Sequence, residues 1–182
     1  MSADFPLRPA TADDVPALVA LVNSAYRGDS SRAGWTTEAD LLGGIRIDQE
    51  RLAATIASEG QVVLVHEEDG AIVACVNLAR RQGHCYLGML TTKPTLQARG
   101  TGRRMLELAE AWAAEHWQSP EVRMTVIVQR EPLVAWYERR GYVKTGETVP
   151  FPYGDERFGL PTRPDLAMYV LKKDLRTPPV VR

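Results

Sequence analysis

The chain has 182 residues, 45% apolar and 25% charged, with a formal net charge of −1. That length suits one domain with a sizeable core, and the balanced charge lacks the basic excess of a nucleic-acid binder, so nucleic acid is not expected as a partner. No apolar run approaches the roughly 20 residues of a bilayer span, and Met1 to Pro9 lacks the basic-then-apolar order of a signal peptide, which leaves a cytoplasmic protein with no membrane partner as the expectation.

Two cysteines are present, Cys75 and Cys85, both in apolar strand-like stretches and without zinc spacing around them. They are expected reduced and buried, and no metal is expected. Phe5 to Arg8 is the first strand candidate. Thr11 or Asp13 caps a helix, and Pro16 favours the later start because proline is tolerated only in the first turn. Val15, Leu18, Val19, Val22, Ala25 and Tyr26 then share one helical face. Gly28 to Gly34 reads as a loop. Thr36 or Thr37 is placed to cap a second helix ending at Gly43-Gly44, and Asp48 a third ending at Gly60.

Val62 to Val65 and Ile72 to Leu78 read as strands around an Asp69-Gly70 turn. Cys85 to Thr91 follows after a turn at Arg81-Gln82-Gly83. In that hairpin Cys75 faces the region of Met89 and not Cys85, which argues against a disulfide. Gly102 to Trp117 is an amphipathic helix with Met105, Leu108, Ala109, Trp112 and Ala113 on its apolar stripe. Val122 to Val128 is a β-branched strand. Pro132 opens a helix that Gly141 ends. Tyr142 to Thr148 and Ala167 to Leu171 are the last strands, separated by a long aperiodic stretch from Pro150 to Asp165. The order predicts a mixed α/β fold, one central sheet covered by helices, in a single domain over 1–175 with a frayed tail at 176–182.

The most informative segment runs from Leu87 to Gly102. A strand enters a short loop with two glycines, Gly100 and Gly102, and then a helix. N–H groups at a helix start have no intrahelical partner, and the helix dipole favours negative charge there. A loop that turns further N–H groups inward makes an anion nest. The loop therefore suits a phosphate or pyrophosphate. It is not a P-loop, since Gly102-Arg103-Arg104 stands where Gly-Lys-Ser/Thr is needed, and a dinucleotide fingerprint would need glycine at Met105. Gln97-Ala98-Arg99-Gly100-Thr101-Gly102 does fit the pattern Gln/Arg-x-x-Gly-x-Gly/Ala.

On these residues the chain resembles the GNAT superfamily of N-acetyltransferases over nearly its whole length. The resemblance implies a mostly antiparallel sheet of about seven strands, splayed between the fourth and fifth, with acetyl-coenzyme A as co-substrate. It places pantetheine along the backbone of Leu90, Thr91 and Thr92, and the pyrophosphate in the loop of Gln97, Ala98, Arg99, Gly100, Thr101, Gly102 and Arg103. Gly88 is the expected site of the family's strand bulge. A second likeness, Glu131 to Tyr142, is similar to the family's later helix Asn-x-x-Ala-x-x-x-Tyr-x-x-x-Gly-Phe. Tyr137 and Gly141 match, Tyr142 replaces phenylalanine, Arg130 stands in place of the asparagine, and Ala135 is out of step.

The implied chemistry is attack of an amine on a thioester. The backbone near Leu90 would stabilise the oxyanion, and Tyr137 would protonate the leaving sulfur. A base is open among Glu67, Glu68, His84 and Tyr86. The acceptor is implied to be a small primary amine, walled by Trp35, Phe151 and Tyr153, with Arg46 placed to bind a carboxylate. A protein acceptor, or a non-catalytic coenzyme sensor, are the competing readings, and the resemblance allows a homodimer.

Overall fold

The computed structural model describes residues 5–176. The tail expected from 176 onward lies outside the described residues except for Arg176, as do residues 1–4 of the segment compared with a signal peptide. One seven-stranded sheet organises the fold. In chain order its strands are β1 (Arg8–Pro9), β3 (Gln61–Glu68), β4 (Ala71–Arg81), β5 (His84–Thr92), β6 (Glu121–Ile127), β7 (Val143–Pro150) and β9 (Ala167–Asp174). They lie in the order β1-β3-β4-β5-β6-β9-β7. Every pairing is antiparallel except β5 with β6. A separate small ladder joins β2 (Leu42–Gly43) to β8 (Leu160–Pro161). The helices are α1 (Val15–Tyr26), α2 (Gln49–Ala57), α3 (Thr101–Trp117) and α4 (Glu131–Glu138).

Several boundaries follow from local chemistry. Pro16 sits in the first turn of α1, and the Asp48 side chain accepts the Arg51 N–H at 2.8 Å to cap α2. Asp69 and Gly70, at φ 51° and 77°, turn the β3–β4 hairpin. Among the described residues no helix is long and apolar enough to cross a membrane.

Strand alternation sorts the core onto two faces. Val63, Val65 and Cys75 pack with Val15, Leu18 and Val22 of α1 and Leu52 of α2. Leu64, Ala74, Val76 and Leu78 pack with Met105, Leu106 and Ala109 of α3 and Val134 and Tyr137 of α4. On β5, Cys85 and Leu87 belong to the α3 face. By alternation Met89 should join them, yet it packs on the α1 face. Met89 has φ 55°, and the β4–β5 register jumps between the pairs Asn77↔Gly88 and Cys75↔Thr91. The bulge thus centres on Met89, and not on Gly88 as expected. It flips the side-chain phase of the strand.

Other expectations are corrected. No helix forms over 36–44. One turn closes there, with Leu41 and Leu42 N–H both donating to Glu38 O, after which the chain pairs with β8. The turn does not propagate: the Leu41 carbonyl, which a longer helix would use internally, accepts instead from Thr162 N–H, and Leu42 and Gly43 extend to pair with Pro161 and Leu160. The first strand is confined to Arg8–Pro9; Pro6, upstream of it, carries no N–H for a ladder. The 28–34 loop contains a 3-10 turn, Asp29–Ala33. The late loop holds a second, Glu156–Phe158, besides β8. On α3 it is Leu106 that is buried, while Leu108 is half-buried.

Asp14 fastens β1 to the start of α1. Its carboxylate accepts from both Arg8 Nη atoms at 2.8 and 2.9 Å and from Thr11 N–H at 2.8 Å. The Arg8 hydrogen bonds, against an opposing effect of burial and with help from Thr11, hold the carboxyl down at about 2. A depressed folded value means stability that is complete above the ordinary 3.8 and lost as pH falls toward about 2. Because the Arg8 side chain is 41% exposed, solvent screening reduces the effect. Asp14→Asn is expected to cost about 1 kcal/mol at neutral pH, with the gap to the parent closing in acid, as read by denaturant midpoints across a pH series.

Candidate active site

The splay between β5 and β6 makes the site. These two strands register only at Cys85↔Val122 and Tyr86↔Arg123. Among the described residues the facing edge of β5 has no partner strand beyond Tyr86. Two cavities fill the opening. The first, about 450 Å³, runs along Leu90, Thr91 and Thr92 to the start of α3 and the side of α4. The second, about 350 Å³, lies between Tyr86–Leu90 of β5 and Met124–Ile127 of β6. Tyr26, Leu90, Arg130, Leu133 and Tyr137 line both, so the cavities meet at these residues.

At the far end of the first cavity the chain forms a concave cradle. Ala98 and Gly100 take φ 67° and 89° on either side of Arg99, which turns successive amides to one side. The first bond of α3 runs from Arg104 N–H to Gly100 O at 3.0 Å. Among the described residues no backbone N–H from Ala98 to Arg103 has a protein partner. Among the described residues, Arg103, Arg130, Arg139 and Arg140 line this cavity and no carboxylate does. Arg140 lies 3.6 Å over the Trp136 ring. Burial, and then the charges of Arg139 and Arg103, push its guanidinium below the ordinary value. The cradle and its arginines fit a diphosphate.

Of the residues expected at the coenzyme, Leu90, Thr91, Thr92, Gln97, Ala98, Gly100, Gly102 and Arg103 line the first cavity; Arg99 and Thr101 do not. Arg99 is exposed and Thr101 buried. The side chain of Gln97 is already engaged: Oε1 accepts Trp35 N–H at 3.0 Å and Nε2 donates to Thr92 O at 3.3 Å. A Cβ at Gly34 would stand 2.2 Å from that Oε1, so a side chain there would displace the Gln97 amide from these bonds.

Tyr137 is buried at the junction. Burial, chiefly, pushes its hydroxyl above the ordinary tyrosine value, so it stays protonated at neutral pH. Among the described residues that hydroxyl makes no hydrogen bond, whereas Tyr26 Oη donates to Leu90 O at 2.8 Å. Beneath them Glu38 is buried with Arg27 and Arg130. Its Oε1 accepts from Arg130 Nη1 at 2.7 Å and its Oε2 from Arg27 Nη1. Burial alone would raise the Glu38 carboxyl, but Arg130, Arg27 and Arg46 outweigh it and hold it low.

The acceptor-side expectations divide. Arg46 and Phe151 line the second cavity. Trp35 instead lines the first, 6.3 Å from Trp136, because Gln97 draws its backbone there. Tyr153 lines neither: its hydroxyl donates to Arg163 O and accepts from Leu166 N–H, which pins the late loop to itself. Of the base candidates only Tyr86 reaches the cavity, bonded to Thr125 at 2.8 Å. Glu67 pairs with Arg8, Glu68 with His66, and His84 bonds Gln82 O at the hairpin end. Cys75 and Cys85 are free and buried. Cys75 Sγ lies 3.9 Å from Met89 O, as its expected facing implies, and burial pushes both thiols up to about 12, unsuited to nucleophilic attack. Tyr26, Arg27, Glu38 and Arg140 were missed in sequence. Arg130 carried a signal, standing where the family's asparagine is expected. Among the described residues no group of His, Cys, Asp and Glu could hold a metal ion.

Removing the Glu38 carboxylate strands two buried guanidiniums. Glu38→Ala is expected to destabilise the fold by about 3–5 kcal/mol, measured by chemical denaturation; a variant as stable as the parent would show that the triad is not a structural tie.

A family model described as an acetyltransferase (GNAT) domain matches residues 40–151. No curated protein matches the chain by sequence. Solved structures share its fold. The yncA protein of Salmonella typhimurium, solved with its cofactor acetyl-CoA, is 17% identical with TM-score 0.69, covering 99% of each chain. The ribosomal-protein-S18-alanine N-acetyltransferase of Escherichia coli is 12% identical with TM-score 0.69, covering 97% of each. A spermidine N-acetyltransferase chimera from Vibrio cholerae and hSSAT is 15% identical with TM-score 0.68, covering 95% of this chain and 96% of the other. With its family model matched from within the β2 region through β7, and with the splayed sheet and helix-start cradle in place, the chain belongs to the GNAT acetyltransferase family and is an acyltransferase.

Proposed function

We propose that the protein transfers the acetyl group of acetyl-CoA to a primary amine of a small molecule, by direct attack through a tetrahedral intermediate. The observation that carries this reading is the meeting of the two cavities at Leu90 and Tyr137. The coenzyme supplies an acetyl thioester. In this reading the amides of 98–103 and the nearby arginines bind its diphosphate, and the open edge of β5 at Leu90–Thr92 hydrogen-bonds its pantetheine arm. The backbone at Leu90 then faces the carbonyl oxygen and stabilises negative charge there. Tyr26, by donating to Leu90 O, holds that backbone in position.

Tyr137 is the proposed proton donor to the departing sulfur. Burial keeps the hydroxyl protonated at neutral pH, so it is available to the sulfur as the N–C bond forms and the C–S bond breaks, and the proton released by the attacking amine restores it. A small acceptor is favoured by the second cavity itself. At about 350 Å³ it is within the range of small-molecule sites, and Phe151, Pro152 and Phe158 of the late loop wall it.

Tyr137→Phe is expected to lower kcat about tenfold or more while leaving acetyl-CoA affinity within about twofold, in a thiol-release assay over an amine panel with calorimetry alongside. Full activity in the variant would remove the hydroxyl from the mechanism. Coenzyme binding without turnover by the parent on any amine would favour a sensor.

A further inference from the structure

We infer that the acceptor carries a carboxylate close to its amine, and that Arg46 binds it. This deepens the reading above and rests on it. The charged side chains lining the second cavity are Arg27, Glu38, Arg46 and Arg130. Three guanidiniums face one carboxylate, and both Glu38 oxygens are already used by Arg27 and Arg130. Arg46 is different. Its N–H is anchored on Asn23 Oδ1 at 2.7 Å, its carbonyl accepts from Arg51, and its guanidinium lies 5.5 Å over the Tyr26 ring. Yet among the described residues that guanidinium makes no hydrogen bond or ion pair. A half-buried arginine with a fixed root, an aromatic shelf and a free fork of donors is built for a planar anion, and a carboxylate matches the fork bidentately.

The same charges act on the amine. Nearby positive groups disfavour an ammonium and so raise the fraction of neutral, attacking amine. The tyrosines around the cavity are Tyr26, Tyr86 and Tyr137, and burial pushes the hydroxyls of Tyr26 and Tyr137 above the ordinary tyrosine value. The cavity thus favours an amino acid over a polyamine, whose second ammonium would meet Arg27, Arg46 and Arg130 without a free carboxylate to receive it.

The test uses the full chain loaded with CoA and calorimetry with paired probes, N-acetyl amino acids and the corresponding N-acetyl amino acid amides. The carboxylates are expected to bind at least about tenfold more tightly than the amides, the contribution of one charge-assisted hydrogen bond. Arg46→Gln should erase the difference, and Arg46→Lys should restore part of it. Equal binding of acids and amides, an undiminished preference in Arg46→Gln, or binding of neither class to a CoA-loaded chain would overturn the assignment and leave the coenzyme reading intact. A chain that takes up no CoA in the first titration fails at the earlier step and overturns both.

Discussion

Met89 is held in a left-handed conformation in the middle of β5, and the site is built around that residue. A regular strand would carry Met89 to the α3 face and continue its ladder with β4 unbroken. The bulge instead sends Met89 to the α1 face. It also brings Leu90, Thr91 and Thr92 to the cavity on a strand whose other edge β6 has already left. A non-glycine residue at positive φ costs on the order of 1–2 kcal/mol. Here the packing of Met89 on the α1 face and the bond from Tyr26 to Leu90 O offset it. The splay is therefore a stable feature of the sheet and one that exposes backbone hydrogen-bonding groups in a defined place.

Around that opening the charges are arranged by depth. The cradle at 98–103 offers amides and arginines, without a carboxylate among the described residues. Deeper in, Glu38 ties the end of α1, through Arg27, to the entry of α4, through Arg130. Arg130 also donates to Thr36 Oγ1 at 2.7 Å. Buried ion pairs of this kind add little net stability once desolvation is counted, but they fix orientation. Arg130 and Leu133 start the helix that presents Tyr137, so the triad sets where that hydroxyl sits. The late loop is tied down from the same side, by Arg27 to Phe158 O and by Arg51 to Arg157 O.

What could be read in the sequence was what is decided locally. Asp48 capping α2, the Asp69-Gly70 turn and Pro132 opening α4 all depend on neighbours within a few residues. The cradle was legible for the same reason, since its geometry arises within the loop and the first turn of α3. Thr36 to Gly44 imitates a helix in sequence, with its polar start and glycine end. Its true partners, Leu160 and Thr162, come from far along the chain, and no local pattern reports them. Trp35 and Tyr153 looked alike as exposed aromatics near a pocket. Their places are settled by hydrogen bonds that spacing does not reveal, one from Trp35 to Gln97 and two that join Tyr153 to Arg163 and Leu166. Tyr26 read as one more core residue on an amphipathic face, because its hydroxyl acquires meaning only when β5 bulges beside it. The shift of the bulge from Gly88 to Met89 is of the same kind. Glycine permits positive φ most easily, but cross-strand register selects the residue.

The account rests on the inward amides of 98–103 holding the diphosphate of the acyl carrier. A crystal soaked with acetyl-CoA tests this directly. The account predicts phosphate oxygens within hydrogen-bonding distance of several of those N–H groups, with the pantetheine arm running along Leu90 to Thr92 toward Tyr137. Density for the coenzyme elsewhere on the molecule, with the cradle bare at saturating concentration, would contradict it.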